Sequence, residues 1–190
     1  MKVLAINGSA RKDGNTMIAV NAALAPIISA GIETKIIQLS GQMIRGCTAC
    51  YKCKDNQNKK CVIDNDIVNR IIPQMLNADA IILASPTYFA DMTTELKALI
   101  DRAGIVCRAN GNILKRKIGA AISVARRGGP IHTFDSINHF FFIHEMIVPG
   151  SNYWNTVIGG PIGEAAKDTE GLETMKVLGE NIVWLLQKIK

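Results

Sequence analysis

No run of about 18 consecutive apolar residues, the length a membrane-spanning helix requires, occurs in the 190-residue sequence. The opening MKVLAINGSA has one lysine and only the short apolar run VLAI before Asn7, too little for the hydrophobic region of a secretory signal. A cytoplasmic protein with no membrane association is therefore expected. Helix-turn-helix and zinc-finger spacings are missing too, and the basic residues behind the net charge of +6 are scattered, so nucleic acid is not an expected partner. The sequence also lacks G-x-G-x-x-G, and Gly14 is followed by Asn15 and Thr16 where a Walker loop needs lysine and serine or threonine. ATP and a Rossmann-type dinucleotide site are disfavoured. No internal repeat or low-complexity tract is present.

The composition is that of a folding globular chain, 48% hydrophobic and 20% charged, and the length suits a single domain, residues 1–190. Short apolar runs closed by turn residues mark strands at KVLAIN (2–7), ETKIIQL (33–39), DAIILASP (79–86), KIGAAISVA (117–125) and IVPG (147–150). Between them, apolar residues at helical spacing predict helices. The first carries Met17, Val20, Leu24, Ile27 and Ile28, with Asp13 or Asn15 as N-cap and Pro26 expected to kink or shorten it. Further helices are predicted over 66–76, 93–106, 131–146 and 168–190. Five strands alternating with helices imply an α/β fold, a doubly wound parallel sheet covered on both faces in a three-layer sandwich. Ligands of such sheets bind beyond the carboxyl ends of the strands.

Three loops at that edge carry candidate binding residues. GSARKDGNT (8–16) places Ser9, Arg11, Asn15 and Thr16 at the start of a helix whose free N–H groups suit a phosphate; a ligand-free turn is the plain alternative. SPTYFADMT (85–93) offers Pro86, Thr87, Tyr88 and Phe89 to the edge and face of a planar heterocycle, although two aromatics at a strand end are more often core. ARRGGP (125–130) brings Ala125, Arg126, Arg127, Gly128 and Gly129, either as a tight turn or as amides and positive charge beside an electron-rich ring. Convergence of three loops favours a planar ligand with a phosphate tail.

Four of the five cysteines stand together in CTACYKCKDNQNKKC (47–61). Cys47, Cys50, Cys53 and Cys61 are separated by two, two and seven residues, a spacing at which thiolates converge on one metal centre. A four-iron four-sulfur cluster, tetrahedral zinc, and no metal at all remain open on the residues alone. Arg45, Lys52, Lys54, Lys59 and Lys60 outnumber Asp55 here and favour thiolate. Cys107, after an apolar helix, reads as a buried structural thiol. His132, His139 and His144 lack a carboxylate to complete a metal motif and read as packing or surface residues. Phe140 to Phe142 read as core or oligomer contact, and Tyr153 and Trp154 as a wall of the ligand site or a subunit interface.

The order INGSARKDGNT, cysteine segment, ASPTYFADMT, ARRGG, VPGSNYWN resembles the flavodoxin-like NADPH-dependent FMN reductases, and especially their iron-sulfur flavoprotein branch, over nearly the whole chain. The resemblance implies a five-stranded flavodoxin-like sheet binding FMN, with Ser9, Arg11, Asn15 and Thr16 at the phosphate and residues 86–89 and 125–129 around the isoalloxazine. It implies that Cys47, Cys50, Cys53 and Cys61 hold a four-iron four-sulfur cluster, and that the protein is a homodimer or homotetramer with one subunit's FMN near a neighbour's surface. The expected activity is electron transfer from NAD(P)H or a ferredoxin-like donor to an acceptor, with no catalytic side chain, because flavin carries the chemistry. The alternatives are an electron carrier without its own substrate and a cluster-free, zinc-stapled quinone or flavin reductase.

Overall fold

The computed structural model describes residues 1–189 and contains five parallel strands in the order β2-β1-β3-β4-β5. In chain order the elements are β1 (Lys2–Asn7), α1 (Asn15–Ser29), β2 (Glu33–Gln38), α2 (Lys52–Asn56), α3 (Val68–Asn77), β3 (Ala80–Pro86), α4 (Thr94–Ala109), β4 (Ile118–Ala125), α5 (Pro130–Ile143), β5 (Thr156–Ile158), a 3-10 turn (Glu164–Lys167) and α6 (Thr169–Ile189). Successive side chains of a strand point to opposite faces, and the two cores follow that alternation. Val3, Ala5, Ile82 and Ile122 pack with α1 and α6 on one face; Leu4, Ile6, Ile81 and Leu83 pack with α3, α4 and α5 on the other. This is the expected doubly wound α/β sandwich. Among the described residues no helix is long and apolar enough to cross a membrane.

Small residues set the spacing of the layers. A Cβ at Gly119 of β4 would lie 2.4 Å from the Phe141 ring, so the fully buried ring rests directly on the strand backbone. Phe140 is buried beside it while Phe142 stays 60% exposed, which divides the aromatic trio between core and surface. Gly179 of α6 would meet the Ala23 carbonyl at 2.1 Å and the Pro26 ring at 2.6 Å if it carried a Cβ.

The expected strand at 147–150 is corrected. Ile147 forms one parallel bridge to Ile118, and the chain then leaves the sheet until Thr156 pairs with Ser123. Pro149 has no N–H to continue the ladder, and the Asn155 side chain donates to the Ala121 carbonyl at 3.1 Å in the gap. Pro26 does not shorten α1, which runs on to Ser29 with Gly14 rather than Asp13 or Asn15 as its N-cap. The cysteine segment, read as loop, contains the five-residue α2. Of the expected helix 168–190, Lys190 lies outside the described residues.

Candidate functional site

The carboxyl ends of β1, β3, β4 and β5 surround a cavity of about 490 Å³ lined by Ser9, Arg11, Asn15, Thr16, Pro86, Thr87, Tyr88, Val124, Arg126, Gly159, Gly160 and Pro161. Its walls are tied by hydrogen bonds. Asn7 Oδ1 accepts from the Ser9 amide at 2.9 Å, its Nδ2 donates to Gln38 Oε1 at 2.8 Å, and Gln38 Nε2 donates to the Ser9 carbonyl at 2.6 Å. Thr93 Oγ1 donates to the Gly8 carbonyl at 2.8 Å and the Thr93 amide to Ser85 Oγ at 3.0 Å, which joins the loops after β1 and β3. A Cβ at Gly159 would lie 2.6 Å from the Ala165 nitrogen and 2.9 Å from Asn15 Nδ2, so only glycine lets the loop after β5 close against the 3-10 turn and the start of α1.

The first turn of α1 is built to meet an anion. Gly14 gives no side-chain cap and the turn holds no acidic residue, so the orphan N–H groups and the positive end of the helix dipole stay uncompensated, with Arg11 and Arg126 on the same cavity. Ser9 Oγ accepts from the Arg11 amide at 3.1 Å and keeps its O–H to donate. Asn15 is different. Its Nδ2 donates to the Pro161 carbonyl at 2.8 Å and toward Gly160 at 3.4 Å, and its Oδ1 accepts from the Ala165 amide at 3.2 Å. Both amide hydrogens are occupied, and what Asn15 can offer an anion is its backbone N–H.

Beside the cavity, Tyr88 and Asp91 exchange backbone hydrogen bonds of 2.8 and 3.1 Å around a two-residue turn. Phe89 and Ala90 form that turn with φ of 49° and 64°, the left-handed pairing usually given to Asn-Gly. Neither residue is glycine, so each carries strain of roughly 1 kcal/mol or more. The turn holds the Phe89 side chain fully in solvent.

The four clustered cysteines open onto a second cavity, of about 260 Å³, together with Ala49, Tyr51, Ile63 and Ile105. Ala49, Tyr51, Gln57 and Lys59 all have positive φ; the Gln57 amide donates to the Cys53 carbonyl at 3.3 Å and the Lys59 amide to Asn110 Oδ1 at 3.0 Å. The Ala49 amide donates to Cys47 Sγ at 3.4 Å. Cys50 is exposed, and the Lys52 amide together with the Thr48 hydroxyl holds its thiol below the usual range. Burial pushes the Cys53 thiol up. Cys61 is fixed by Asn69, which accepts from its amide at 2.8 Å and donates to its carbonyl at 2.8 Å. Its sulfur accepts from Arg102 Nε at 3.4 Å. Arg102, buried in α4, also pairs with the Asp66 carboxylate. Four thiols on one cavity with N–H donors already aimed at sulfur fit an iron-sulfur cluster.

The sequence profile of the NADPH-dependent FMN reductases matches residues 1–159. An iron-sulfur flavoprotein of Methanocaldococcus jannaschii is 40% identical over the full length of both chains. The chain belongs to the NADPH-dependent FMN reductase family. Another iron-sulfur flavoprotein, from Methanosarcina thermophila, is 37% identical over all of this chain and 97% of its own. Among solved structures, the NAD(P)H:quinone oxidoreductase of Methanothermobacter marburgensis superposes with a TM-score of 0.72 at 14% identity, covering 96% of each chain. An archaeal flavodoxin gives 0.64 at 18% identity, over 98% of this chain and 99% of that one. These two show the fold, flavodoxin-like.

Within this FMN reductase fold the strand-end cavity gathers Ser9, Arg11, Asn15, Thr16, Pro86, Thr87, Tyr88 and Arg126. Phe89, Ala125, Arg127, Gly128 and Gly129 do not line it; Gly129 instead caps α5 at φ 87° and packs on Ala90 and Thr87. Gly159, Gly160 and Pro161 do line it and were missed, since the last strand was placed too early. Arg102, Asp66 and Asn69 were missed as well. Arg102 falls on the apolar stripe of Leu99, Ala103 and Val106, and a charge on a buried stripe is itself a signal. Cys107 is fully buried with its thiol pushed up to about 12, as a structural thiol would be. His132 and His139 are exposed; His144 is buried, its ring nitrogens 3.0 and 3.2 Å from the Phe140 and Gly104 carbonyls.

Proposed function

We propose that the protein is an FMN-dependent oxidoreductase that takes electrons from NAD(P)H or a ferredoxin-like donor and delivers them to an acceptor, with Cys47, Cys50, Cys53 and Cys61 as ligands of a four-iron four-sulfur cluster. The observation that carries this reading is the uncapped start of α1 opening, between Arg11 and Arg126, into a cavity shared with Pro86 to Tyr88. When bound, FMN supplies hydride acceptance and single-electron release, and a cluster supplies single-electron exchange. The chain's part is to bind and orient. The amides of Asn15 and Thr16 and the hydroxyls of Ser9 and Thr16 take the phosphate, and Arg11 offsets its charge. Pro86, Thr87 and Tyr88 border the ring. Arg126 supplies positive charge at its electron-rich edge.

Among the described residues no three His, Cys, Asp or Glu side chains converge on one metal position. The cluster reading is supported by the four cysteines lining one cavity and by relatives named iron-sulfur flavoproteins. A homodimer or homotetramer is part of the reading. Exposed Phe142, Tyr153 and Trp154 border an open groove of about 550 Å³ suited to a neighbour, as exposed aromatic groups are at interfaces.

The test is anaerobic purification followed by an absorption spectrum with flavin, iron, sulfide and zinc quantified. FMN near one per subunit and iron near four are expected. No flavin after incubation with FMN would end the central reading; flavin without iron would end only the cluster. Rapid oxidation of NAD(P)H by the pure protein supports a reductase, and reduction by ferredoxin alone supports an electron carrier.

A further inference from the structure

Cys61 differs from the other three cysteines in what holds it. Its backbone is clamped from both sides by Asn69, and its sulfur accepts from the guanidinium of Arg102. Arg102 is fully buried on the inner stripe of α4. Three of its four terminal N–H groups are committed: one terminal nitrogen pairs with the Asp66 carboxylate and donates to the Arg45 carbonyl at 3.1 Å, and the other donates to the Ile63 carbonyl at 2.6 Å. Asp66 is held in turn by the amides of Arg45 at 3.2 Å and Val68 at 3.1 Å. A planar guanidinium held through both terminal nitrogens has one direction left for its Nε–H, and that direction ends on Cys61 Sγ.

A buried ion pair of this kind is seldom worth more to stability than apolar residues of the same volume. The stripe around Arg102, with Leu99, Ala103 and Val106, would accept such a residue. The arrangement therefore calls for a role other than cohesion. A guanidinium remains charged in proteins, so Arg102 brings a full positive charge to the Cys61 sulfur. Among the described residues it is the one charged side chain donating to a clustered thiol, since Cys47 is met by a backbone amide and Cys50 by an amide and a hydroxyl.

We infer that Arg102 is a positioning residue that anchors one corner of the cluster through an N–H···S hydrogen bond to Cys61 and, by placing compensated positive charge there, favours the cluster's reduced form. This rests on the reading of the four cysteines as cluster ligands. N–H donors to ligand sulfur stabilise added negative charge and so raise the reduction potential, and partners of this kind commonly change metal retention by about 10–100-fold.

The test uses the full chain, reconstituted anaerobically with FMN, ferrous iron and sulfide. Arg102→Lys keeps a charge but loses the fork. Asp66→Asn with Arg102→Met removes both buried charges together, so that no unpaired carboxylate is left to unfold the protein. Both variants are compared with wild type for cluster midpoint potential, by titration followed by electron paramagnetic resonance, and for the rate of iron loss to a ferrous chelator. A lower potential and iron loss about 10–100-fold faster, with FMN content unchanged, are expected. A merely structural role would lower the melting temperature and leave the potential where it was. Potential and iron loss equal to wild type in the double variant would overturn the role of Arg102 while leaving the cluster reading intact. A wild type that holds no cluster overturns both, and its own iron and sulfide analysis separates that failure from the first.

Discussion

Around the strand-end cavity, the loops after β1, β3, β4 and β5 are bound to one another by backbone and amide hydrogen bonds, and glycines at 159 and 160 let them close. Between residues 47 and 61 the arrangement is the reverse. Cys47 and Cys50 lie on exposed chain, four non-glycine residues have left-handed φ, and anchorage comes from the buried Cys53, from Asn69 of α3 and from the pair of Asp66 with Arg102 of α4. The first region is shaped by the sheet and stands ready before any ligand arrives. The second is a loop held at separate points, Cys53 in the core, Lys59 on Asn110 and Cys61 on Asn69, with Cys47 and Cys50 exposed between its anchors and the sheet. One cavity is thus framed by the sheet and the other by side chains of the helices beside it.

The sharpest way to break this contrast is Asp66→Ala, which strands a buried guanidinium. A loss of about 3–5 kcal/mol is expected in chemical denaturation. FMN should still bind to the fraction that remains folded, because no wall of the strand-end cavity depends on Asp66; equal loss of both sites would refute the separation. Gly159→Ala strikes the other region. The added methyl meets the Ala165 nitrogen and Asn15 amide, so about 1–3 kcal/mol of stability and at least roughly tenfold in FMN affinity should go, with iron content preserved. Calorimetric titration with FMN and iron analysis would check both halves.

The next effect depends on pH. Burial, with Arg108 nearby, lowers His144 from 6.5 to about 4, so the folded protein keeps it neutral where the unfolded chain protonates it. Stability should therefore fall as pH drops from 6.5 toward 4 and the slope should vanish below that. The two carbonyls facing the ring favour its protonated form and reduce the total to about 1–3 kcal/mol. His144 joins α5 to Gly104 of α4, the helix that carries Arg102, so acid should loosen the thiol side first. Hydrogen exchange at pH 5 would read this directly, and a His144→Gln variant should lose the slope. The smallest change is a gain: Ala90→Gly relieves one left-handed alanine in the turn beside the strand-end cavity, for about 0.5–1 kcal/mol and a slightly higher melting temperature.

The parts of the fold that were legible in the sequence are those where one physical signal dominates. AIILASP is apolar throughout because both of its faces are covered, and the uncapped Gly-rich start of α1 is visible as GSARKDGNT. β5 was not legible. It is three residues long, and its role along β4 is shared with Ile147 and the Asn155 side chain, which no periodicity records. The clustered cysteines stood out by spacing. Their anchors did not, because Asp66, Asn69 and Arg102 meet Cys61 only once α3 and α4 are packed together, and Asn15 looked like a phosphate donor until the loop it clasps could be seen.

The tight passage of Gly179 beside Ala23 and Pro26 means that the first helix made is packed by the last. The flank of α1 is covered mainly by α6, and its Asn15 is bound by Gly160, Pro161 and Ala165. A nascent chain halted before those residues would carry all four clustered cysteines and an unfinished strand-end cavity.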